Sequence, residues 1–195
     1  MSSFYSLDEL QSLGLKSFGS NVLISKKASL YNPSNISIGN NVRIDDFSIL
    51  SGNITLGDYI HISAYCSLFA GDYGIEMYDF STLSVKSTIF AVSDYYSGIC
   101  LTNPMIPDKY RYVYGGKVTL EKHVIIGAST VILPNITIKE GAAIGACSLI
   151  SKDCEPWIIY AGIPAKKLKE RKKDLLTLEK TFLKTLGSEK NVWVY

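Results

Sequence analysis

Large aliphatic residues recur at every sixth position through most of this chain of 195 residues. Two uninterrupted series are Leu120, Ile126, Ile132, Ile138, Ile144, Ile150 and Ile38, Ile44, Leu50, Leu56, Ile62, Leu68. An isolated helix repeats every 3.6 residues and an ordinary strand alternates every two, so neither element explains the spacing. A period of six instead predicts a coil of very short strands, in which each strand points one large aliphatic side chain inward.

Turn-forming residues follow the aliphatic positions. They are Gly39-Asn40-Asn41, Gly57-Asp58, Gly127-Ala128 and Gly145-Ala146. Glycine and asparagine tolerate the backbone conformations that a sharp bend needs. Three short strands would close one triangular coil, and the repeats predict about six coils stacked into a parallel β-helix. The alternative is a set of conventional alternating strands, which does not account for such long series at one spacing.

On these motifs the chain resembles the hexapeptide-repeat acyltransferases. The matching segments are Ile38-Gly39-Asn40-Asn41-Val42, Ile126-Gly127-Ala128-Ser129-Thr130-Val131 and Ala161-Gly162-Ile163-Pro164-Ala165-Lys166. The resemblance implies a left-handed β-helix; the handedness comes from the family, because ordinary parallel crossovers are right-handed. It also implies a homotrimer, with acetyl-CoA as the acyl donor and no metal ion.

Segments that interrupt the repeat define the organisation of one predicted domain, residues 1–195. It comprises an N-terminal cap (1–20), coils (21–92 and 117–165), an inserted loop (93–116), and a C-terminal helix and tail (166–195).

Both ends of the chain have a helical pattern. Ser6 and Glu9 form a capping box at the start of a short helix that would close the first coil. From about Lys166 to Gly187 we expect a second helix. Its apolar stripe comprises Leu175, Leu178, Phe182 and Leu186. This helix would cover the last coil or a neighbouring subunit, because an open solenoid end exposes strand edges.

The inserted loop is rich in tyrosine, and loops of this length in a compact domain are usually functional or disordered. In the family, a loop at this place reaches a neighbouring subunit and lines the acceptor site. We therefore expect substrate contacts, a planar base and its phosphates, at Ser93, Tyr95, Tyr96, Tyr110, Arg111 and Tyr112. Tyr114, Lys109 and Lys117 could contribute to the same surface. The alternative is that the tyrosines only pack a trimer interface.

Many relatives that acetylate sugar hydroxyls carry a histidine in this loop, and this sequence has none there. Asp94 is the first catalytic candidate by position, although an aspartate at a loop tip is commonly a turn residue. His61 precedes the inward Ile62, so its side chain should point outward, where a cleft between subunits could receive it. His123 occupies a turn. For both histidines the alternative is a solvent-exposed surface side chain.

The lack of a loop histidine favours an amine acceptor. A sugar amine is partly neutral near pH 7 and needs only weak help to lose its proton, whereas an alcohol needs a strong general base. The sequence therefore indicates N-acylation, with sugar or glycan O-acetylation as the alternative.

The resemblance places the acyl donor along the C-terminal coils. Small residues would let pantetheine approach the backbone, and lysines would meet the phosphates. The candidates are Gly127, Ala128, Gly145, Ala146, Lys152, Ala161, Gly162, Pro164, Lys166 and Lys167, with Arg171 as a further cation. The alternative for the basic run from Lys166 to Lys173 is a solvated helix face.

Composition narrows the function classes. A net charge of +2 gives nucleic-acid binding no global electrostatic support. No apolar run is long enough to span a bilayer, no basic leader precedes an apolar block, and four separated cysteines favour reduced thiols in a cytoplasm. γ-Type carbonic anhydrases resemble these chains but bind zinc through three histidines, and this chain has two.

The N-terminal segment and the loop motifs Ser93-Asp94-Tyr95-Tyr96-Ser97-Gly98 and Thr102-Asn103-Pro104-Met105-Ile106-Pro107 resemble a narrower group. These are N-acetyltransferases of surface-polysaccharide (O-antigen, lipopolysaccharide) clusters that act on dTDP-4-amino-4,6-dideoxyglucose. The resemblance implies a nucleotide-sugar substrate and acetyl transfer to its C4 amine. A non-catalytic β-helix scaffold is the remaining alternative, and the Ala161–Lys166 motif with the enlarged aromatic loop speaks against it.

Overall fold

The computed structural model describes residues 3–186. It confirms the predicted parallel β-helix, with about seven turns rather than about six. In chain order the strands are β1 (Ser17–Phe18), β2 (Val22–Ile24), β3 (Ser29–Tyr31), β4 (Ile36–Ile38), β5 (Val42–Ile44), β6 (Ile49–Leu56), β7 (His61–Ile62), β8 (Ser67–Met77), β9 (Thr82–Leu83), β10 (Thr88–Phe90), β11 (Val92–Asp94), β12 (Val113–Gly115), β13 (Val118–Leu120), β14 (Ile125–Ile126), β15 (Val131–Ile132), β16 (Thr137–Ile138), β17 (Ala143–Ile144), β18 (Leu149–Ile150), β19 (Ile158–Gly162) and β20 (Ala165–Glu170). The helices are α1 (Leu7–Ser12) and α2 (Leu175–Leu186), with 3₁₀ turns at Pro33–Asn35 and Asp108–Tyr110.

The strands stack into three faces. The first face contains β1, β4, β13, β16 and the second halves of β6 and β8. The second face contains β2, β5, β7, β9, β14, β17 and β19. The third face contains β3, β10, β15, β18 and the first halves of β6 and β8.

The six-residue series forms the core because equivalent aliphatics stack in register. On the third face, Leu50 pairs with Leu68, Leu68 with Ile89, Ile89 with Ile132, and Ile132 with Ile150. These side chains are fully buried, so each coil covers the apolar edge of the previous one.

All three corners of the triangle use residues with a left-handed backbone, including Asn32 and Asn135 where the third face turns into the first. Corner A joins the first face to the second and has φ between 53° and 67° at Asn21, Asn41, Tyr59, Phe80, His123, Gly141 and Trp157. Corner B joins the second face to the third and has φ between 54° and 63° at Phe47, Tyr65, Lys86, Ser129 and Cys147. At Gly141 an added Cβ would lie 2.4 Å from Trp157 Cδ2, so the packing against Trp157 requires glycine there. Corner C joins the third face back to the first.

The predicted capping box of the N-terminal helix is confirmed, although β1, inside the segment predicted as the cap, already pairs with β4. Ser6 Oγ accepts a hydrogen bond from Glu9 N at 3.3 Å, and Glu9 Oε2 accepts one from Ser6 N at 2.7 Å. Leu10 is buried in the core, whereas Leu7 is 62% exposed. The short helix α1 therefore covers the first coil chiefly through Leu10.

The C-terminal helix begins later than predicted. The prediction had the helix start at about Lys166. Residues 165–170 instead form β20, which pairs antiparallel with β19 at the edge of the second face. The helix itself is α2, which contains the predicted apolar stripe. Charged side chains are tolerated on an edge strand, and β20 satisfies the open edge of β19. Gly187 and the tail to residue 195 lie outside the described residues.

The inserted loop leaves corner C as a hairpin in which β11 and β12 pair antiparallel. Tyr73 packs against Gly115, where an added Cβ would lie 2.2 Å from its Cε2. Within residues 3–186, no helix combines the length and the apolar character that crossing a membrane requires.

Candidate functional site

Asp94 is held at the end of the hairpin base. It is the last residue of β11, opposite Val113, and its Oδ2 accepts a hydrogen bond of 3.3 Å from Asn103 N. The neighbouring Ser93 pairs with Tyr114 across the hairpin, and its hydroxyl donates to the Asp94 carbonyl oxygen at 3.3 Å. Asp94 is half-buried, and the hydrogen bond from Asn103 anchors its carboxylate within its own loop.

The aromatic residues of the loop divide into two groups. Tyr95 and Tyr112 meet edge to face, with ring centroids 5.2 Å apart. Tyr96 and Tyr110 lie outside this pair: Tyr96 is 91% exposed, and Tyr110, exposed to about the same extent as Tyr112, has Lys109 Nζ 4.7 Å from its ring centroid. The loop thus presents a projecting aromatic surface.

Two of the three cations predicted near the loop, Arg111 and Lys117, are already engaged in ion pairs. Arg111 Nη2 lies 2.7 Å from Asp108 Oδ1. Lys117 Nζ lies 2.6 Å from Glu76 Oε2 on the first face, and this contact raises the pKa of Lys117. A phosphate reaching either cation would have to compete with a carboxylate.

His61 lies on the second face with its ring pointing outward, as the sequence predicts. Its Nε2 lies 2.8 Å from Asp45 Oδ2, and Asp45 Oδ1 accepts a hydrogen bond of 2.7 Å from Arg43 Nε. His61 and Arg43 line a groove of about 320 Å³ together with Asn41 and Tyr59. The sequence analysis did not single out Asp45 or Arg43. The sequence feature that could have indicated them is a pair of opposite charges on the two sides of the inward Ile44.

The two predicted catalytic residues are not brought together within one chain. His61 lies on the second face, and the hairpin that carries Asp94 leaves corner C, which is opposite that face.

His123 is not the exposed surface histidine that the sequence left as an alternative. It is 7% exposed, its ring stacks on Phe80, and its Nε2 lies 2.9 Å from Glu179 Oε2 of α2. Burial tends to raise the pKa of the Glu179 carboxyl, but hydrogen bonds from Lys122 and His123 hold it below its usual value. This histidine is a buried contact between the coil and α2.

The small residues predicted for the donor site lie together at corner B. Gly127 N donates to Ile144 O at 2.8 Å, and Gly145 N donates to Tyr160 O at 2.7 Å, so the two glycines stack in successive coils. Ala128 and Ala146 follow them in the turn. We call this stack of Gly127, Ala128, Gly145 and Ala146 at corner B the donor file. Ser84 lies in the preceding coil, next to the donor file, and its N–H donates to Ile126 O at 2.9 Å.

The remaining donor candidates surround a pocket at the C-terminal end. The pocket measures about 390 Å³ and is lined by Lys152, Tyr160, Pro164, Lys166 and Lys167, among others. Ala161 and Gly162 belong to β19, paired with Lys166 and Ala165 of β20. Lys167 forms an ion pair with Glu155, which raises its pKa.

Arg171 does not join this basic cluster. Its Nη1 donates to the carbonyl oxygens of His123 at 2.8 Å and Gly141 at 3.0 Å, which corrects its expected phosphate contact. Residues 3–186 contain no group of three or more side chains that could hold a metal ion.

No family model matches the chain. It is 47% identical over 181 residues to a dTDP-4-amino-4,6-dideoxy-D-glucose acyltransferase of Escherichia coli, covering 90% of this chain and 94% of that protein. It is similar, at 54% identity and a TM-score of 0.92, to a crystal structure of a mutant of AntD, an N-acyltransferase from Bacillus cereus, in complex with dTDP-4-amino-4,6-dideoxyglucose and coenzyme A; the match covers 95% of this chain and 99% of that one. A complex of AntD with dTDP and 3-hydroxybutyryl-CoA matches at 53% identity and a TM-score of 0.93, covering 96% of this chain and 100% of that one.

Proposed function

Because the chain belongs to the family of dTDP-4-amino-4,6-dideoxyglucose acyltransferases, we propose that it transfers an acetyl group from acetyl-CoA to the C4 amine of dTDP-4-amino-4,6-dideoxyglucose. The observation that carries this proposal is the similarity, over nearly the whole chain, to AntD crystallised with this sugar nucleotide and coenzyme A. The product would be an N-acylated nucleotide sugar for surface polysaccharide synthesis.

The proposed assembly is a homotrimer with a site at each interface. The loop with Asp94 leaves corner C, whereas the small residues of the donor file lie at corner B. An acceptor held by the loop would therefore meet a thioester on the donor file of another copy. The exposed tyrosines of the loop support this arrangement, because large apolar surfaces on a loop are commonly covered by a partner.

In the proposed reaction the amine lone pair attacks the thioester carbonyl carbon, and a tetrahedral intermediate forms. The C–S bond then breaks, giving an amide and the thiol of coenzyme A, and the amine loses one proton. Asp94 would orient the amine and favour proton loss, with His61 as the second candidate. Ser84 adjoins the donor file, so its hydroxyl is a candidate donor to the carbonyl oxygen where negative charge develops.

We place the reaction in the cytoplasm. The cysteines within the described residues are all free, which supports a reducing compartment. Acyl-CoA is also made inside the cell.

The test is a donor and acceptor panel with purified protein. We expect thiol release with acetyl-CoA and dTDP-4-amino-4,6-dideoxyglucose, and none with dTDP-glucose, which has a hydroxyl at C4. 3-Hydroxybutyryl-CoA serves as the alternative donor, read by product mass. Turnover of dTDP-glucose at the rate of the amino sugar would contradict the proposal, and so would a lack of thiol release with every amino-sugar acceptor.

A further inference from the structure

The strand that carries Lys166 and Lys167 has little packing of its own. Five of the six residues in β20 are exposed. Among residues 3–186 its only strand partner is β19, and the register of that pairing shifts between Ile159 and Tyr160. An edge strand with one irregular ladder has low local stability, so contacts outside the ladder must contribute to fixing it.

Those contacts begin directly after β20, at Arg171. Its backbone N–H donates to Trp157 O at 2.8 Å, and its guanidinium bridges the carbonyl oxygens of His123 and Gly141. His123, Gly141 and Trp157 are the corner A residues of three successive coils. The carbonyl oxygens of such left-handed turns need a donor when they are buried. Arg171 therefore ties the end of β20 to three coils at once.

A second attachment lies on α2. Glu179 accepts hydrogen bonds from Lys122 and from the His123 ring, and its side chain is 11% exposed. Beyond it, the ring of Phe182 meets Tyr59 and Phe80 edge to face at centroid distances of 5.4 Å and 6.4 Å. The segment after β20 is thus held along corner A from the last coils down to the coil of Tyr59.

From this geometry we infer that Arg171 and Glu179 are positioning residues for acyl-donor binding, with His123 as their shared anchor at corner A. The His123 carbonyl oxygen holds Arg171, its ring holds Glu179, and the two attachments together fix β20 so that Lys166 and Lys167 face the C-terminal pocket. This inference rests on the proposed function, because it assumes that those lysines bind the donor. Arg171, Glu179 and His123 touch no substrate in this account; they act through β20.

The first test variant is Arg171→Lys. It keeps the charge of the basic run but cannot bridge two carbonyl oxygens in the planar geometry of a guanidinium. The second is Glu179→Gln, which removes the carboxylate that binds the His123 ring. Both should raise the KM for acetyl-CoA by roughly 3- to 30-fold and leave the KM for the acceptor and kcat within about twofold. Lys180→Ala is the matched control: it removes an exposed charge next to Glu179 and should leave the KM for acetyl-CoA unchanged.

Amide hydrogen exchange supplies a readout that does not depend on activity. In both variants the amides of β20 should exchange faster, while those of β13 to β18 keep their wild-type protection. Variants with a lower Tm but unchanged β20 exchange and unchanged donor KM would overturn the inference, because the contacts would then be purely structural. If β20 exchange rises in the variants but the wild-type protein does not bind acetyl-CoA in calorimetry, the coupling of corner A to β20 stands and the proposed function is wrong.

Discussion

Asp45 and His61 are joined by a hydrogen bond of 2.8 Å between the carboxylate Oδ2 and the ring Nε2. Since the other oxygen of Asp45 accepts from Arg43, the carboxylate holds the His61 ring outward on the second face. Asp94 belongs to the loop that leaves corner C, which is opposite the second face. In any one chain the two candidate proton acceptors therefore serve different surfaces, and their substitution should have unequal effects.

For an amine acceptor, Asp94→Asn should reduce kcat/KM by roughly 10- to 1000-fold, because it keeps the shape of the side chain and removes its charge. His61→Asn should reduce it less, since a water can accept the proton of an amine. Steady-state kinetics of both variants would check this. Asp72→Asn, at an exposed position of β8 before the loop, is the control. An inactive His61→Asn variant alongside a nearly wild-type Asp94→Asn variant would indicate a hydroxyl acceptor instead.

The donor site can be tested by reversing charge at the C-terminal pocket. Lys166→Glu with Lys167→Glu should raise the KM for acetyl-CoA by about 10-fold or more, and the KM for the acceptor much less, because a carboxylate beside a phosphate repels it. Lys180→Glu with Lys184→Glu makes the same charge change on α2, away from the pocket, and should have little effect. Equal donor kinetics in the two double variants would mean that the basic run is only a solvated face.

The contact between Glu179 and His123 predicts a pH dependence of stability. The folded-state pKa of Glu179 lies below the reference value of 4.5. Its contribution, about 1 kcal/mol after allowance for solvent, is therefore fully present above about pH 5 and is lost as pH falls through the folded-state pKa. Urea titrations should show Glu179→Gln less stable than wild type at pH 7, with the difference shrinking as the pH falls below the reference pKa of 4.5. The control Lys180→Gln should show no such change, and a pH-independent gap for Glu179→Gln would refute the ion pair.

Mixed trimers test whether each site lies between subunits. Asp94→Asn chains and Lys166→Glu, Lys167→Glu chains should each be poorly active alone. If one chain supplies Asp94 and its neighbour the lysines, a mixed trimer of either composition contains about one intact site in three. Co-expression with two affinity tags, followed by purification of the mixed species, should therefore restore activity. No recovery in a verified mixed trimer would place both groups in one chain.

The sequence predicted the coil because one inward aliphatic per strand is a local property, repeated from Ile38 to Ile150. The capping box of Ser6 and Glu9 was predictable for the same reason. The strand β20 was not, because its basic residues carry no period and its structure depends on pairing with β19. The environment of His123 was equally hidden, since its partner Glu179 lies 56 residues later and reaches it only when α2 folds back along corner A.

In the candidate site, too, local features could be predicted from the sequence and long-range contacts could not. The outward direction of His61 and the position of Asp94 in the loop followed from the repeat and its interruption. Arg171 could not be separated from its lysine neighbours by sequence alone, because only the fold shows that its guanidinium turns inward to two carbonyl oxygens.

The chemistry of the product is the most direct measurement of the central claim. Protein, acetyl-CoA and dTDP-4-amino-4,6-dideoxyglucose should give a product heavier by one acetyl group, and the acetyl group should survive mild alkali because it is held as an amide. The NMR spectrum should show the acetyl group on the nitrogen at C4. A product of the same mass that loses its acetyl group in mild alkali, as an ester does, would contradict the account.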